Sequence, residues 1–159
     1  MKLADSGNRR EFTSGAVRDI NEGKGRCDLL PLDVIGNVFG DTILKEINGF
    51  IRTGETEYLA KSIRAFTKIH MTDPATAILE VSKHYEDGCE KYGERNWEKG
   101  IPLHCYLDSG IRHYLKWVRG DRDEPHDRAF LWNMLGAIWT AVHKPGLCDL
   151  PYSREEHHD

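Results

Sequence analysis

No stretch of the 159 residues is apolar for long enough to span a bilayer. That excludes a helical membrane protein, and no membrane association is expected. The opening segment, Met1 to Arg10, lacks the apolar core of a secretory leader, so the cytoplasm is the expected compartment. Paired cysteines are missing too. Cys27, Cys89, Cys105 and Cys148 stand too far apart for a C-x-x-C zinc knuckle. In a reducing compartment they read as small buried or half-buried thiols rather than a disulfide framework. There is no excess of positive charge: the net charge is −4, which argues against a chain held mainly by nucleic-acid phosphates. No stable nucleic-acid binding is therefore expected. Repeats, low-complexity blocks and sustained two-residue alternation are also lacking, which removes solenoids and extended sheets.

What is present is 39% apolar and 30% charged residues, the balance of a globular domain with a real core. Residues 1–28 are polar and glycine-punctuated and read as an irregular N-terminal arm. Residues 29–146 read as a helical domain, and 147–159 as a peripheral tail. Short helices are expected around 32–39 and 42–51, and a longer one over 55–69 with Leu59, Ile63 and Phe66 at helical spacing. Asp73-Pro74 is an N-cap with proline in the first turn. The stripe Ala77, Ile78, Val81, Tyr85, Cys89 and Tyr92 then runs to a stop at Gly93. Pro102 opens a helix with the stripe Leu107, Ile111, Tyr114, Leu115 and Val118, ended by Gly120. The last helix runs from about Pro125 to His143, closed by Pro145-Gly146. The expectation is an all-α helical bundle.

The polar residues on these helices point to metal chemistry. Asp127 shares a face with Leu131, Met134 and Ile138, and Glu124 falls near it. A carboxylate aimed at a core is costly unless a cation or full hydrogen bonding compensates it. Glu80 and His84 stand four apart on one margin of their helix, and Asp108 and Arg112 on a margin of the next. Magnesium or manganese wants hard oxygen ligands in near-octahedral array. Glu80, Asp108, Glu124 and Asp127 are the acids that could converge, with His84 as a manganese ligand or as the partner that orients Glu80. Plainer readings stand beside each. Glu124 and Asp127 also suit a helix N-terminus, Asp108 with Arg112 and Glu80 with His84 are ordinary i,i+4 pairs, and Trp97 could simply anchor its loop. From spacing alone the chain is a helical bundle with a possible divalent-metal site.

Three segments narrow this. Gly23-Lys24-Gly25-Arg26-Cys27-Asp28-Leu29-Leu30-Pro31 is one. The second runs from Glu80 to Gly100 and contains Lys91-Tyr92-Gly93-Glu94-Arg95-Asn96-Trp97. The third is Ser109-Gly110-Ile111-Arg112-His113 continuing through Gly120 and His126 to Trp132-Asn133. Together they resemble the phage dATP/dGTP diphosphohydrolases of the MazZ type, relatives of the MazG-like all-α nucleoside triphosphate pyrophosphohydrolases. The resemblance spans about 20–33 and 75–140, and residues 34–73 read as an insertion. It implies an enzyme that uses Mg²⁺ (or Mn²⁺) to cleave dATP or dGTP to monophosphate and pyrophosphate and so adjusts a phage nucleotide pool. The MazG-like acidic pattern is degenerate here: Glu86-Asp87-Gly88-Cys89-Glu90 competes with Glu80-Val81-Ser82-Lys83-His84 for the first half, and Glu124-Pro125-His126-Asp127 matches the second.

On this reading Glu80, His84, Asp108, Glu124 and Asp127 hold the ions. Glu80, Asp127, Arg112 and Lys91 carry the chemistry. Lys24 and Arg26 neutralise phosphate, Tyr92 or Trp97 stacks on the purine, Asn96 or Asn133 reads its edge, and His113 also meets substrate. Family members often build their sites between subunits, so a homodimer or homotetramer is expected. Two alternatives remain. The His126-Asp127 pair, with His104, His113 and Asp149 available, allows an HD-type triphosphohydrolase. Arg112, Lys116, Arg119 and Arg122 allow a non-catalytic module that binds nucleic acid or a partner.

Overall fold

A computed structural model describes residues 7–155, so residues 1–6 of the expected arm and 156–159 of the expected tail lie outside it. Strands β1 (Arg9–Glu11) and β2 (Val17–Asp19) precede helices α1 (Leu32–Phe39), α2 (Thr42–Thr53), α3 (Thr56–His70), α4 (Pro74–Tyr92), α5 (Leu103–Arg119), α6 (His126–His143) and α7 (Pro151–Glu155). The architecture is an all-α bundle with one small hairpin laid on it. None of the described helices is long and apolar enough to cross a membrane.

Helix boundaries follow local chemistry. The Asp73 carboxylate accepts from the Thr76 backbone N–H at 2.9 Å and caps α4, with Pro74 in the first turn. Gly120 ends α5 in the left-handed conformation (φ 100°), where a Cβ would be strained. α5 and α6 lie against each other closely, because Gly136 leaves room for the Tyr106 ring that a Cβ would strike. Phe66 of α3 packs on Phe130 of α6 at 4.6 Å between ring centroids and joins the long helices in one apolar core.

Four expectations change. The α4 stripe is narrower than its letters, since Ile78 is 65% exposed and Cys89 is exposed. On α5 the buried face is rotated: Leu115 and Val118 are exposed, whereas Asp108, Ser109 and Arg112, on its polar margin, are buried. The cause is the arm. Residues 9–19 are not irregular but form an antiparallel hairpin with Arg9 opposite Asp19, Arg10 opposite Arg18 and Glu11 opposite Val17. With the segment that follows, it covers the polar side of α5. The tail is also tied down. Leu150 is buried, Tyr152 meets Phe50 edge-on at 6.0 Å, and the Asp149 carboxylate caps α5 by accepting from the His104 backbone N–H at 3.0 Å.

The arm is held mainly by polar ties. The Asn96 side chain works as a substitute strand: Val17 N–H donates to its Oδ1 at 2.8 Å, and its Nδ2 donates to the Val17 carbonyl at 2.9 Å. Ser14 Oγ donates to the Gly100 carbonyl. The fully buried Asp108 accepts from Asn21 Nδ2 at 2.8 Å, from the Cys27 backbone N–H at 2.7 Å and from Arg112 Nη2 at 2.6 Å. Three donors, one of them charged, compensate the burial of this carboxylate.

Candidate active site

Between the arm and helices α4, α5 and α6 lies a cleft of about 430 Å³, the size of a small-ligand site. Arg10, Arg18, Lys24, Lys91, Arg112 and Lys116 line it, against two carboxylates, Asp19 and Glu124. Six cations thus share one concavity of a chain whose net charge is −4. Such a surface concentrates anions.

The cleft also holds donors that the fold leaves unused. Arg10 Nε, Arg18 Nη1, Arg112 Nε and His84 Nδ1 are buried with no hydrogen-bond partner among the described residues, and all four residues line the cleft. Buried polar groups are nearly always satisfied, so this grouping marks where a ligand belongs. Arg18 is the clearest case. Its guanidinium lies over the Trp132 and Tyr106 rings at 5.5 and 5.7 Å, and its Nη2 donates to Asn133 Oδ1 at 3.3 Å, a neutral amide. Burial lowers its pKa. Arg10 stands directly opposite it in the ladder, a like-charge pair that costs stability unless an anion sits between.

Neighbouring groups set the shape. Asp19 is held by Arg9 Nη1 at 2.8 Å, Tyr92 OH at 2.9 Å and Lys91 Nζ at 3.2 Å, which fastens the hairpin to the end of α4. Arg112 Nη2 also donates to the Gly25 carbonyl at 2.7 Å. Burial, reinforced by Arg18, Arg128 and Lys91, pushes His84 down to about 3, so its ring is neutral beside Trp132.

Of the residues singled out in the sequence, Lys24, His84, Lys91, Tyr92, Arg112, His113, Glu124 and Asn133 line the cleft. Others are employed elsewhere. Asn96 clamps the hairpin, and Trp97 anchors its loop edge-on against Trp139 at 5.0 Å. Arg26 makes a two-pronged pair with Asp28, both bonds at 2.8 Å, outside the cleft lining. Asn133 is already engaged through both ends of its amide, by Arg18 and by the Ala129 carbonyl.

The oxygen cage expected for magnesium is not assembled. Glu80 is tied to Lys83 at 2.8 Å and to Arg128 at 2.8 Å, not to His84. Asp108 is consumed by the arm. Asp127 is half-buried in the first turn of α6, and belongs neither to the cleft lining nor to any group of possible metal ligands among the described residues. Its face is apolar only further along the helix, and at the helix start its charge suits the dipole. The donors that do converge are His113, Glu124 and His126.

An HD-type quartet is not formed either, since Asp127 is outside these groups and His104 pairs with Asp149. The basic patch is divided: Arg119 pairs with Asp121, and Arg122 stacks on Trp117 at 3.6 Å from the ring centre. Spacing alone missed Arg10, Arg18, Asp19 and Asn21. Thr13-Ser14-Gly15 between Arg9-Arg10 and Val17-Arg18 is a hairpin signal, but three-residue strands carry too little alternation to stand out.

No curated protein and no solved structure matches the chain. Residues 56–149 match the family described as dATP/dGTP diphosphohydrolase, N-terminal. The match includes α3, which lies in the stretch that the segmental resemblance left as an insertion, and contains all of α4, α5 and α6. Since it takes in more than half of the chain and every helix of the cleft, the chain belongs to the dATP/dGTP diphosphohydrolase family, a family of enzymes.

Proposed function

We propose that this cleft binds the triphosphate of a purine deoxynucleotide, dATP or dGTP, and hydrolyses it to the monophosphate and pyrophosphate. The carrying observation is the set of unsatisfied buried donors on Arg10, Arg18 and Arg112, grouped with three lysines in one concavity. A triphosphate supplies acceptors for those unsatisfied guanidinium nitrogens. In the reaction water adds to phosphorus, the bond to the pyrophosphate oxygen breaks, and the water's proton passes to the surroundings. Charge then builds on the leaving group, where arginine and lysine side chains already in place stabilise it. Trp132 and Tyr92 offer aromatic walls for the base. The neutral His84 and the amide of Asn133, through Arg18, set the polar pattern near it. Dependence on a divalent cation, magnesium or manganese, is part of the proposal, as is a dimeric or tetrameric assembly.

The test is incubation with each deoxynucleoside triphosphate, with and without Mg²⁺ or Mn²⁺, and chromatographic separation of products. Monophosphate and pyrophosphate from dATP or dGTP are expected. Nucleoside and triphosphate would instead indicate the HD-type reaction, and no turnover with either ion would refute the proposal.

A further inference from the structure

At the end of the cleft where α5 meets α6, two imidazoles face one another. His113 Nδ1 and His126 Nδ1 are 2.9 Å apart. A Glu124 oxygen completes a trio of possible ligand atoms, all within 4.8 Å of one another. His126 is completely buried, and its other nitrogen, Nε2, lies 2.8 Å from Asp123 Oδ1. In the tautomer whose Nε2–H donates to that carboxylate, the His126 lone pair is on Nδ1, facing His113. Two ring nitrogens this close either share one proton or flank one cation. Metal–nitrogen bonds of about 2.0–2.1 Å at a right angle place the two nitrogens roughly 3 Å apart, which is the spacing seen.

We propose that His113, Glu124 and His126 form a site for a divalent first-row transition ion such as manganese, iron, cobalt or zinc, with Asp123 orienting His126 from behind. Two nitrogens and one oxygen suit these ions and do not suit magnesium, which favours oxygen alone. A carboxylate bonded to the far nitrogen of a ligating histidine is the usual outer support of such sites. A second grouping, Asp121, Asp123 and His126, is weaker. It would need the His126 nitrogen already given to Asp123, and Asp121 is paired with Arg119. The proposal refines the nucleotide reading by naming the ion class. Its measurement does not depend on turnover.

The experiment uses the full chain, stripped with chelator and titrated with Co²⁺ alone. Visible absorption reports nitrogen ligation, and calorimetry reports stoichiometry, with Mg²⁺ titrated for comparison. One Co²⁺ per chain with a ligand-field band is expected, and Mg²⁺ at least a hundredfold weaker. Glu124→Gln, which keeps its shape, should weaken Co²⁺ at least tenfold, and His113→Ala should abolish the band. Asp123→Asn should weaken binding about 10–100-fold while keeping the band, and Asp121→Asn should change nothing. Circular dichroism of each variant guards against misfolding. No Co²⁺ bound by the wild type, or unchanged affinity and band in both Glu124→Gln and His113→Ala, overturns the site. Binding of dATP with Mg²⁺ present, followed separately by calorimetry, tells the two proposals apart: its absence strikes the nucleotide reading and leaves the metal site standing.

Discussion

The two walls of the cleft are built on different principles. The wall from α4, α5 and α6 rests on apolar burial, with Tyr106, Phe130 and Met134 fully enclosed behind it. The wall from the arm rests on side-chain hydrogen bonds, from Asn96 to Val17, from Asp108 to Asn21 and Cys27, and from Tyr92 to Asp19. The first lies inside the family match and the second, ending near residue 28, lies before it. Yet the second wall brings Arg10, Arg18 and Lys24, half of the cleft's cations. The hydrophobic scaffold fixes where the cleft is, and a polar strap decides how strongly it attracts anions.

The comparison breaks most visibly at Asp108. Removing a buried, charge-paired carboxylate costs about 3–5 kcal/mol. Asp108→Ala should lower the melting temperature by roughly 10 °C and open residues 7–28 to protease, while helical circular dichroism at room temperature persists. Equal loss of helix and arm at room temperature would show the two walls to be one cooperative unit. Arg18→Met comes next. Hydrolysis of dATP or dGTP should fall about a hundredfold, equivalent to about 2.7 kcal/mol, while the melting temperature holds or rises, because a desolvated cation without a carboxylate has been removed. A large loss of stability would mean that Arg18 supports the fold rather than a ligand.

Asn96→Ala tests the strap without touching any cleft residue. Loss of both bonds to Val17 should cost about 2 kcal/mol and raise KM more than it lowers kcat. The smallest effect belongs to His104 and Asp149, remote from both walls. Pairing with Asp149 raises His104 to about 10. Its folded pKa is above the unfolded value of about 6.5, so the stabilisation is complete below that value and fades as the pH rises from about 6.5 through 10. Because the pair is partly exposed, it should contribute about 1 kcal/mol. A melting-temperature profile over that range should flatten in His104→Asn.

Much of the helical wall was legible in the sequence, for physical reasons that are local. Asp73-Pro74, Gly93 and Gly120 fix helix ends through backbone chemistry within a few residues. Arg112, His113, Lys91 and Tyr92 reach the cleft because periodicity tells which way a helical side chain points. The wheel is silent about what covers a face. Asp108 reads from spacing as an i,i+4 partner of Arg112 or a metal ligand, because nothing in α5 reveals the arm lying over it. Asp127 shares its face with Leu131 and Met134, which are buried, yet it is itself only half-buried in the first turn of α6. His126 looked like one half of a dipeptide motif, whereas its contacts come from α5 and from the loop ahead of α6. Long-range partners of this kind leave no trace in spacing.

The amide of Asn96 holds the hairpin by its backbone, and so it dictates phase as well as position. A strand shows opposite faces on successive residues. One residue added to the Thr13–Gly15 turn would leave every helix intact while turning one of the facing guanidinium groups towards solvent. The length of that turn is therefore under a constraint as strict as any charge in the cleft, although no side chain of the turn lines it.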